Sequence, residues 1–221
     1  TLTLAIFSIL FSLSLPDKYE SSILLTPAGE SSQTSNLSSM SPLAGLAGIS
    51  IPKGTNNASI GLEVLKSRIF VENFISEQDI LVPLMASKNW DRKSGELILD
   101  SNIYDSSSKT WVRKSNPKKP SLHEAYDFWM NDVFSIDEDK ETGFITVNLK
   151  HYSPIDTKNW LSALINDLND YMRNIDVDEA RLSIQYLKNE TNKTTSQELR
   201  SLLYALIQSN TEKEMLAYSR S

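Results

Sequence analysis

Two histidines are the first residues to consider for chemistry, because imidazole can act as an acid, a base or a metal ligand near neutral pH. His123 falls in the first turn of a predicted helix, and His151 falls at the end of a predicted strand. Neither lies near an HExxH pattern or a cluster of acids that would complete a metal site. We therefore expect both histidines to be structural, and we predict no bound metal.

The densest carboxylates are Asp137, Glu138, Asp139 and Glu141, in a short polar segment that also contains Lys140. A pair of catalytic carboxylates has to be held rigidly in a cleft, which the tip of a hairpin does not provide. The segment also fails the spacing of a calcium loop, because no glycine follows at the sixth position. A solvated turn is the simpler interpretation.

The sequence lacks the motifs of several other kinds of site. It contains no cysteine, which excludes disulfides, cysteine-ligated zinc and thiol nucleophiles. No GxGxxG occurs, and no glycine is followed by the lysine and hydroxyl residue of a phosphate-binding loop. Aromatic residues such as Trp160 and Tyr171 fall on predicted helical faces, so we expect core positions, with saccharide stacking as the less favoured alternative. We predict no cofactor and no enzymatic activity.

The composition is that of a globular protein without a nucleic-acid footprint. Of 221 residues, 40% are hydrophobic and 23% are charged, which is ordinary for a folded domain. The 28 acidic and 22 basic residues give a net charge of −6. The nearest approach to a basic cluster is Arg113, Lys114, Lys118 and Lys119, which we interpret as a solvated loop. Binding to nucleic acid needs a clustered basic face, so we do not expect it.

The first fifteen residues, Thr1 to Leu15, contain no charge and end abruptly at Pro16. They are too few to cross about 30 Å of hydrocarbon as a helix. Because no initiator methionine precedes them, we expect the C-terminal part of a first transmembrane helix. The apolar core of a signal peptide is the alternative. The last residues, from Glu214 to Ser221, still look helical, so we expect the sequence to be truncated at both ends.

Residues 16–154 predict a base domain of mixed strands and helices. Alternation over 19–25 predicts a strand, and apolar residues at helical spacing predict one helix over 58–76. Between them lies a Ser-, Gly- and Asn-rich segment, for which a mobile loop and a packed segment both remain open. The apolar run at 80–84 contains a proline, so we interpret it as the exit from the helix. We expect irregular structure over 85–120.

Two further signals complete the base domain. Ser121 and Glu124 form a capping box, in which each side chain satisfies a backbone donor of the first turn of a helix. After that helix, residues 133–136 and 144–149 flank a polar turn, which predicts an antiparallel hairpin.

Residues 155–221 predict a long helix and a returning helix. Ser153, Pro154 and Asp156 give the strongest helix start in the sequence. A heptad series of apolar residues follows and favours one continuous helix of about 54 Å. Thr195 and Glu198 predict the capping box of the returning helix. A hairpin of this kind leaves apolar surface for neighbouring copies, and we expect oligomerisation through Leu161, Leu168, Ile175, Leu182, Leu199, Leu202 and Leu206.

The order of these features resembles one bacterial family. The segment YESSILLTP at 19–27 and the segment LKSRIF at 65–70 look like the opening of the Wzz-type chain-length determinants, or polysaccharide co-polymerases. The segment at 143–147 is similar to the family's membrane-proximal strand, and HYSP at 151–154 to its Ser-Pro helix start. ARLSIQYL at 180–187 and ELRSLLY at 198–204 are similar to its helical extension. Each motif is weak alone, and the specificity lies in their order along nearly the whole chain.

The resemblance implies an α+β fold with a membrane-proximal mixed sheet, packed helices and a long helical hairpin extension, preceded by the end of a transmembrane helix. It implies three regions: residues 1–15 in the bacterial inner membrane, a periplasmic base over 16–154, and the extension over 155–221. It also implies a non-enzymatic, ring-forming scaffold that regulates the chain length of O-antigen or a similar glycan. The implied partners are further copies of the chain, a membrane polysaccharide polymerase, the growing glycan and the lipid bilayer.

Two features of the family, a second membrane helix and the proline-rich segment before it, do not occur in the sequence. Truncation and true divergence both explain this, and a kinase-fused relative would carry a nucleotide-binding domain further on. A different class of protein is the alternative hypothesis: the extracytoplasmic sensor or ligand-binding domain of a membrane signalling protein.

Overall fold

The computed structural model describes residues 16–25 and 57–219, and it confirms a mixed α+β architecture. The chain divides into two compact units, Thr1–Leu164 and Ile165–Ser221. This division lies inside the long helix, whereas the sequence predicts a boundary at its start. The predicted membrane segment, Thr1 to Leu15, lies outside the described residues. Among those described, no helix is both long enough and apolar enough to span a bilayer.

Unit 1 contains seven strands, four α-helices, a π-helical segment and the beginning of a fifth helix among its described residues. In chain order the elements of both units are β1 (Tyr19–Leu25), α1 (Asn57–Lys66), α2 (Arg68–Glu77), α3 (Leu81–Ala86), β2 (Ser87–Asp91), β3 (Glu96–Leu99), β4 (Tyr104–Asp105), β5 (Thr110–Trp111), α4 (Leu122–Phe128), the π-helical segment Trp129–Val133, β6 (Phe134–Glu138), β7 (Ile145–His151), α5 (Pro154–Lys193) and α6 (Gln197–Ser219).

The main sheet has three strands in the order β1, β7, β6. Both pairs are antiparallel, with Tyr19 opposite His151 and Phe134 opposite Leu149. The predicted strand at 19–25 and the predicted hairpin are confirmed, but the expectation of a mixed sheet is wrong for the described strands. A tight turn between β6 and β7 imposes the antiparallel direction, and β1 runs against β7 on its other edge.

Alternation along β7 places one side of the sheet in the core. Val147 and Leu149 are fully buried, while Lys150 points the other way and is exposed. Trp129 lies at the centre of the same core, with its ring centroid 5.5 Å from that of Phe74 and 6.3 Å from that of Trp160. Aromatic rings at such separations pack favourably in offset or tilted arrangements. Unit 1 is therefore organised around an aromatic centre beneath an antiparallel sheet.

The single helix predicted over 58–76 is wrong, because Ser67 divides it into α1 and α2. Ser67 adopts an extended backbone conformation, and its hydroxyl accepts a hydrogen bond of 3.4 Å from the backbone N–H of Phe70. A serine in this position satisfies an otherwise unpaired donor at a helix start. The apolar spacing persists across the break, which is why periodicity alone did not reveal it.

The expected helix exit is confirmed, since α2 ends at Glu77, but the apolar run beyond it is itself the short helix α3. Pro83 lies in the first turn of α3, where a missing N–H is tolerated. The expectation of irregular structure over 85–120 is also wrong in part, because β2–β3 and β4–β5 form two small hairpins. Their strands have five residues or fewer, which is too short for alternation to be evident in the sequence.

The capping box at the start of α4 is confirmed and is reinforced by Arg113. Ser121 and Glu124 exchange the two expected hydrogen bonds. The guanidinium of Arg113 donates to both carboxylate oxygens of Glu124, at 2.8 and 2.9 Å. This hydrogen bonding lowers the pKa of Glu124 to about 2. The basic loop before α4 is thus tied to the helix through its arginine.

The predicted start of α5 is confirmed, and the buried His151 supports it. The hydroxyl of Ser153 accepts a hydrogen bond of 3.1 Å from the backbone N–H of Asp156. His151 Nε2 lies 3.1 Å from the carbonyl oxygen of Pro83, and its Nδ1 lies 3.4 Å from the backbone N–H of Ser153. A neutral ring satisfies both contacts, with Nε2 donating to Pro83 and Nδ1 accepting from Ser153. One side chain thereby joins α3, β7 and the cap of α5.

Unit 2 contains the rest of α5 and the returning helix α6. The predicted continuity of the long helix is confirmed, since α5 runs for 40 residues. The predicted capping box of the returning helix is wrong in its details. Ser196, not Thr195, accepts the hydrogen bond from the third residue of α6, the backbone N–H of Leu199, at 3.3 Å. The cap of α6 therefore lies one residue later than expected. Helix α5 before it continues to Lys193.

His151 makes the stability of unit 1 sensitive to acid. Burial lowers the pKa of His151 from 6.5 to about 4, so the unfolded chain takes up a proton more readily than the folded one. We expect the free energy of unfolding to fall by up to about 3 kcal/mol as the pH drops from about 6.5 to about 4. Urea unfolding measured by the total tryptophan emission reports this change, since Trp160 lies 4.7 Å from the imidazole.

The variant His151→Gln should lose this component of the pH dependence, because glutamine has no proton to gain. His123→Gln is the matched control, since His123 is exposed on the first turn of α4. An equal loss of pH dependence in both variants would contradict the assignment to His151.

Candidate assembly surface

The structure separates the seven residues predicted to mediate oligomerisation. Leu161 and Leu168 are buried, with 5% and 7% of their surface exposed, whereas Ile175 is 36% and Leu182 is 67% exposed. The three residues on α6 have an intermediate exposure; they are Leu199, Leu202 and Leu206. Of the four heptad positions on α5, Ile175 and Leu182 are therefore the exposed ones.

Ile175 and Leu182 belong to a longer exposed stripe on α5, together with Tyr171 and Tyr186, which are 45% and 64% exposed. A helix turns about 100° per residue, so these four side chains fall within about 60° of arc over about 22 Å. We call this set the α5 stripe. All four of its side chains are apolar or aromatic. Asp178, which is not one of the four, is exposed at the edge of the stripe.

A second set of exposed residues lies on α6. Tyr204, Met215 and Tyr218 are 59%, 66% and 56% exposed, and helical geometry places them within about 60° of arc. We call this set the α6 stripe. The sequence does not predict this stripe, because its positions do not follow a heptad and include two tyrosines, which usually indicate a half-buried site. The leucines at 199, 202 and 206 gave the stronger signal, but they turn towards the buried side of α6.

The two arms pack through other faces. On α5, Val177, Ala180 and Thr191 are buried, and helical geometry places them opposite the α5 stripe. On α6 the buried residues are Leu203 and Ala217. Each arm thus has one face turned into unit 2 and a separate apolar face in solvent.

A polar clamp holds the arms together at the surface. Arg181 on α5 donates from Nε to Glu214 Oε1 at 2.8 Å and from a second guanidinium nitrogen to the hydroxyl of Tyr218 at 2.6 Å. The hydrogen bond to Glu214 and the nearby Tyr218 raise the pKa of Arg181. The guanidinium also lies 5.9 Å from the centre of the Tyr218 ring. The clamp fixes Tyr218, and with it one end of the α6 stripe.

The geometry offers little for catalysis in the described part of the chain. No group of three or more potential metal ligands is found there. Of the acids at 137–141, Asp139 accepts the backbone N–H groups of Glu141 and Thr142, which lower the pKa of Asp139 and close the turn. This is the solvated turn that the sequence predicts. His123 is exposed, and the buried His151 is hydrogen-bonded to the carbonyl oxygen of Pro83.

In comparison with known proteins, the chain matches no family model and no curated protein.

The clamp should contribute modestly to the stability of unit 2. Arg181 is 56% exposed, and exposed ion pairs contribute little because solvent screens them. We expect a double-mutant cycle of Arg181→Gln and Glu214→Gln to give a small favourable coupling by thermal unfolding. Lys188→Gln is the control, an exposed cation on the same helix. A coupling indistinguishable from that of Lys188→Gln with Glu214→Gln would contradict the clamp.

Proposed function

We propose that this chain is a non-enzymatic, ring-forming scaffold that regulates the length of a bacterial polysaccharide, O-antigen or a similar glycan. It acts from the periplasmic side of the inner membrane, anchored by the apolar run at 1–15, and it works with a membrane polymerase that extends the glycan. The observation that carries the proposal is the pair of exposed stripes on the two arms of unit 2. The order of motifs, which resembles that of the chain-length determinants, supports the specific role in polysaccharide length.

The stripes favour assembly because large apolar side chains gain free energy when they leave water. Full burial of one such side chain contributes about 1.5–3 kcal/mol. Monomeric proteins rarely leave contiguous apolar patches on their surface without a use for them. The α5 stripe carries Ile175 and Leu182 between two tyrosines, and residues of these types are common at protein interfaces.

The two stripes lie on different helices, and this bears on the kind of assembly. Contact between the α5 stripe of one copy and the α6 stripe of the next would use two different surfaces. Such a head-to-tail interface continues from copy to copy and closes into a ring when the rotation allows. Contact between two α5 stripes would instead end at a dimer. A scaffold of defined size needs the first arrangement.

Multi-angle light scattering of the intact protein in detergent tests the assembly directly. We expect a single closed oligomer larger than a dimer. Leu182→Glu should weaken association by at least about tenfold, because an unpaired carboxylate would be buried in the contact. Asn174→Glu adds the same charge at an exposed position of α5 outside the stripe and should leave the mass unchanged.

A strict monomer for the unmodified protein would contradict the scaffold proposal. Glycan length gives the second measurement. In cells that depend on this protein, Leu182→Glu should broaden the distribution of polysaccharide lengths, and Asn174→Glu should retain a defined modal length. A modal length unaffected by Leu182→Glu, despite loss of the oligomer, would separate length control from assembly and contradict the proposal.

A further inference from the structure

Aromatic and basic side chains gather at one end of the main sheet in unit 1. Tyr19 begins β1 and lies opposite His151 at the end of β7, so Tyr152 lies at the same end of the sheet. The ammonium group of Lys18 is 5.4 Å from the centre of the Tyr152 ring. The guanidinium of Arg92 is 5.8 Å from the centre of the Tyr19 ring. Cations at these distances are attracted to the faces of aromatic rings.

The turn between β2 and β3 is held at this end of the sheet by Arg92. Its Nε donates to the hydroxyl of Tyr19 at 2.8 Å, and its Nη2 donates to Asp17 Oδ2 at 2.8 Å. Trp90 lies just before this turn. Together with Lys88 it lines a groove of about 710 Å³ that extends to Asp17.

This end of the sheet is also where the apolar run of the sequence joins unit 1. Leu15, the last residue of the run, precedes Asp17 by two positions. An extended chain advances at most about 3.6 Å per residue, so only two short steps of backbone separate the run from Asp17, whose carboxylate contacts Arg92. If that run is in a bilayer, this end of the sheet adjoins the lipid headgroups.

The composition of this end fits that depth. Tryptophan and tyrosine concentrate at membrane interfaces, where an apolar ring meets a polar edge, and lysine and arginine flank them. Two of the acids nearby are engaged in the protein: Asp17 pairs with Arg92, and Asp91 accepts the backbone N–H of Lys93. Glu20 and Glu96 are exposed at the same end. Acids and bases are balanced here, so the match is to the headgroup layer in general and not to anionic lipid alone.

We propose that this end of unit 1 is a membrane-contact surface that packs on the phospholipid headgroup layer, with the turn between β2 and β3 as its outermost part. We call it the interfacial cluster; its residues are Lys18, Tyr19, Lys88, Trp90, Arg92 and Tyr152. The inference rests on the membrane anchoring in the proposed function. It adds a second attachment, through Arg92 and Asp17, that sets the height and tilt of the sheet above the bilayer.

Site-specific labelling of the full chain tests the contact, because the sequence has no cysteine of its own. Lys93→Cys places a fluorophore in the turn between β2 and β3. Glu141→Cys is the matched control in the turn between β6 and β7. In each turn the labelled residue donates its backbone N–H to an aspartate two positions earlier, at 2.8 Å. The control turn lies at the far end of the sheet, about 20 Å away along β7.

The labelled chains are incorporated into nanodiscs of zwitterionic and anionic phospholipid that carry nitroxide quenchers on the headgroups. We expect a loss of emission at position 93 in discs of both compositions and little loss at position 141. Equal emission at the two positions would overturn the proposal. If the groove instead binds a soluble saccharide, position 93 would remain unquenched, which would also overturn it.

Failure of the anchoring itself would be distinguishable. A chain that does not enter discs contradicts the membrane location in the proposed function. A chain that enters discs as a higher oligomer without quenching at position 93 contradicts the interfacial cluster alone.

Discussion

The arrangement of unit 1 depends on the contacts that the side chain of His151 makes with Pro83 and Ser153. The imidazole is buried at the end of the central strand and satisfies the Pro83 carbonyl and the Ser153 N–H at once. The Ser153 N–H would otherwise be a buried donor without a partner, at a cost of about 1–3 kcal/mol, whereas the Pro83 carbonyl also accepts from the hydroxyl of Ser87. Ser153 in turn caps α5, so the direction of the long helix is set where the strand ends. Sheet, short helix and long helix share one neutral ring, and charging that ring removes the acceptor of the Ser153 N–H and places an ion in a buried site.

Helix α5 is buried on different sides in its two halves. Leu161 and Leu168 are buried in the first half, whereas Val177 and Ala180 are buried in the second half, and helical geometry places the two pairs on roughly opposite sides of the helix. Because α5 is continuous, helical geometry fixes the angular position of every side chain along its whole length. The heptad series that begins at Leu161 therefore emerges into solvent at Ile175 and Leu182. The exposed stripe therefore begins where the burial of this face of α5 ends.

The sequence predicted most of the elements that carry local chemical signals. The capping box at Ser121, the cap at Ser153 and the alternation of β1 and β7 are determined by neighbouring residues, and these were confirmed. Features that depend on competition between equivalent signals were not predictable. Ser67 interrupts a persistent apolar pattern, and Ser196 caps α6 although Thr195 fits the motif equally well. The division of the heptad into buried and exposed halves depends on tertiary packing, which periodicity does not contain.

The described part of unit 2 has two helices, and this limits what it can bury. Each helix has one face turned inward, where small residues such as Ala180 and Ala217 add little apolar area. Two helices without a third layer cannot cover stripes on their outer sides, and the surface clamp of Arg181 adds only an exposed ion pair. Large side chains such as Leu182, Tyr186, Tyr204 and Met215 are exposed, although Leu203 is buried. Most of the apolar area that the described part of unit 2 can still bury therefore lies on its outside.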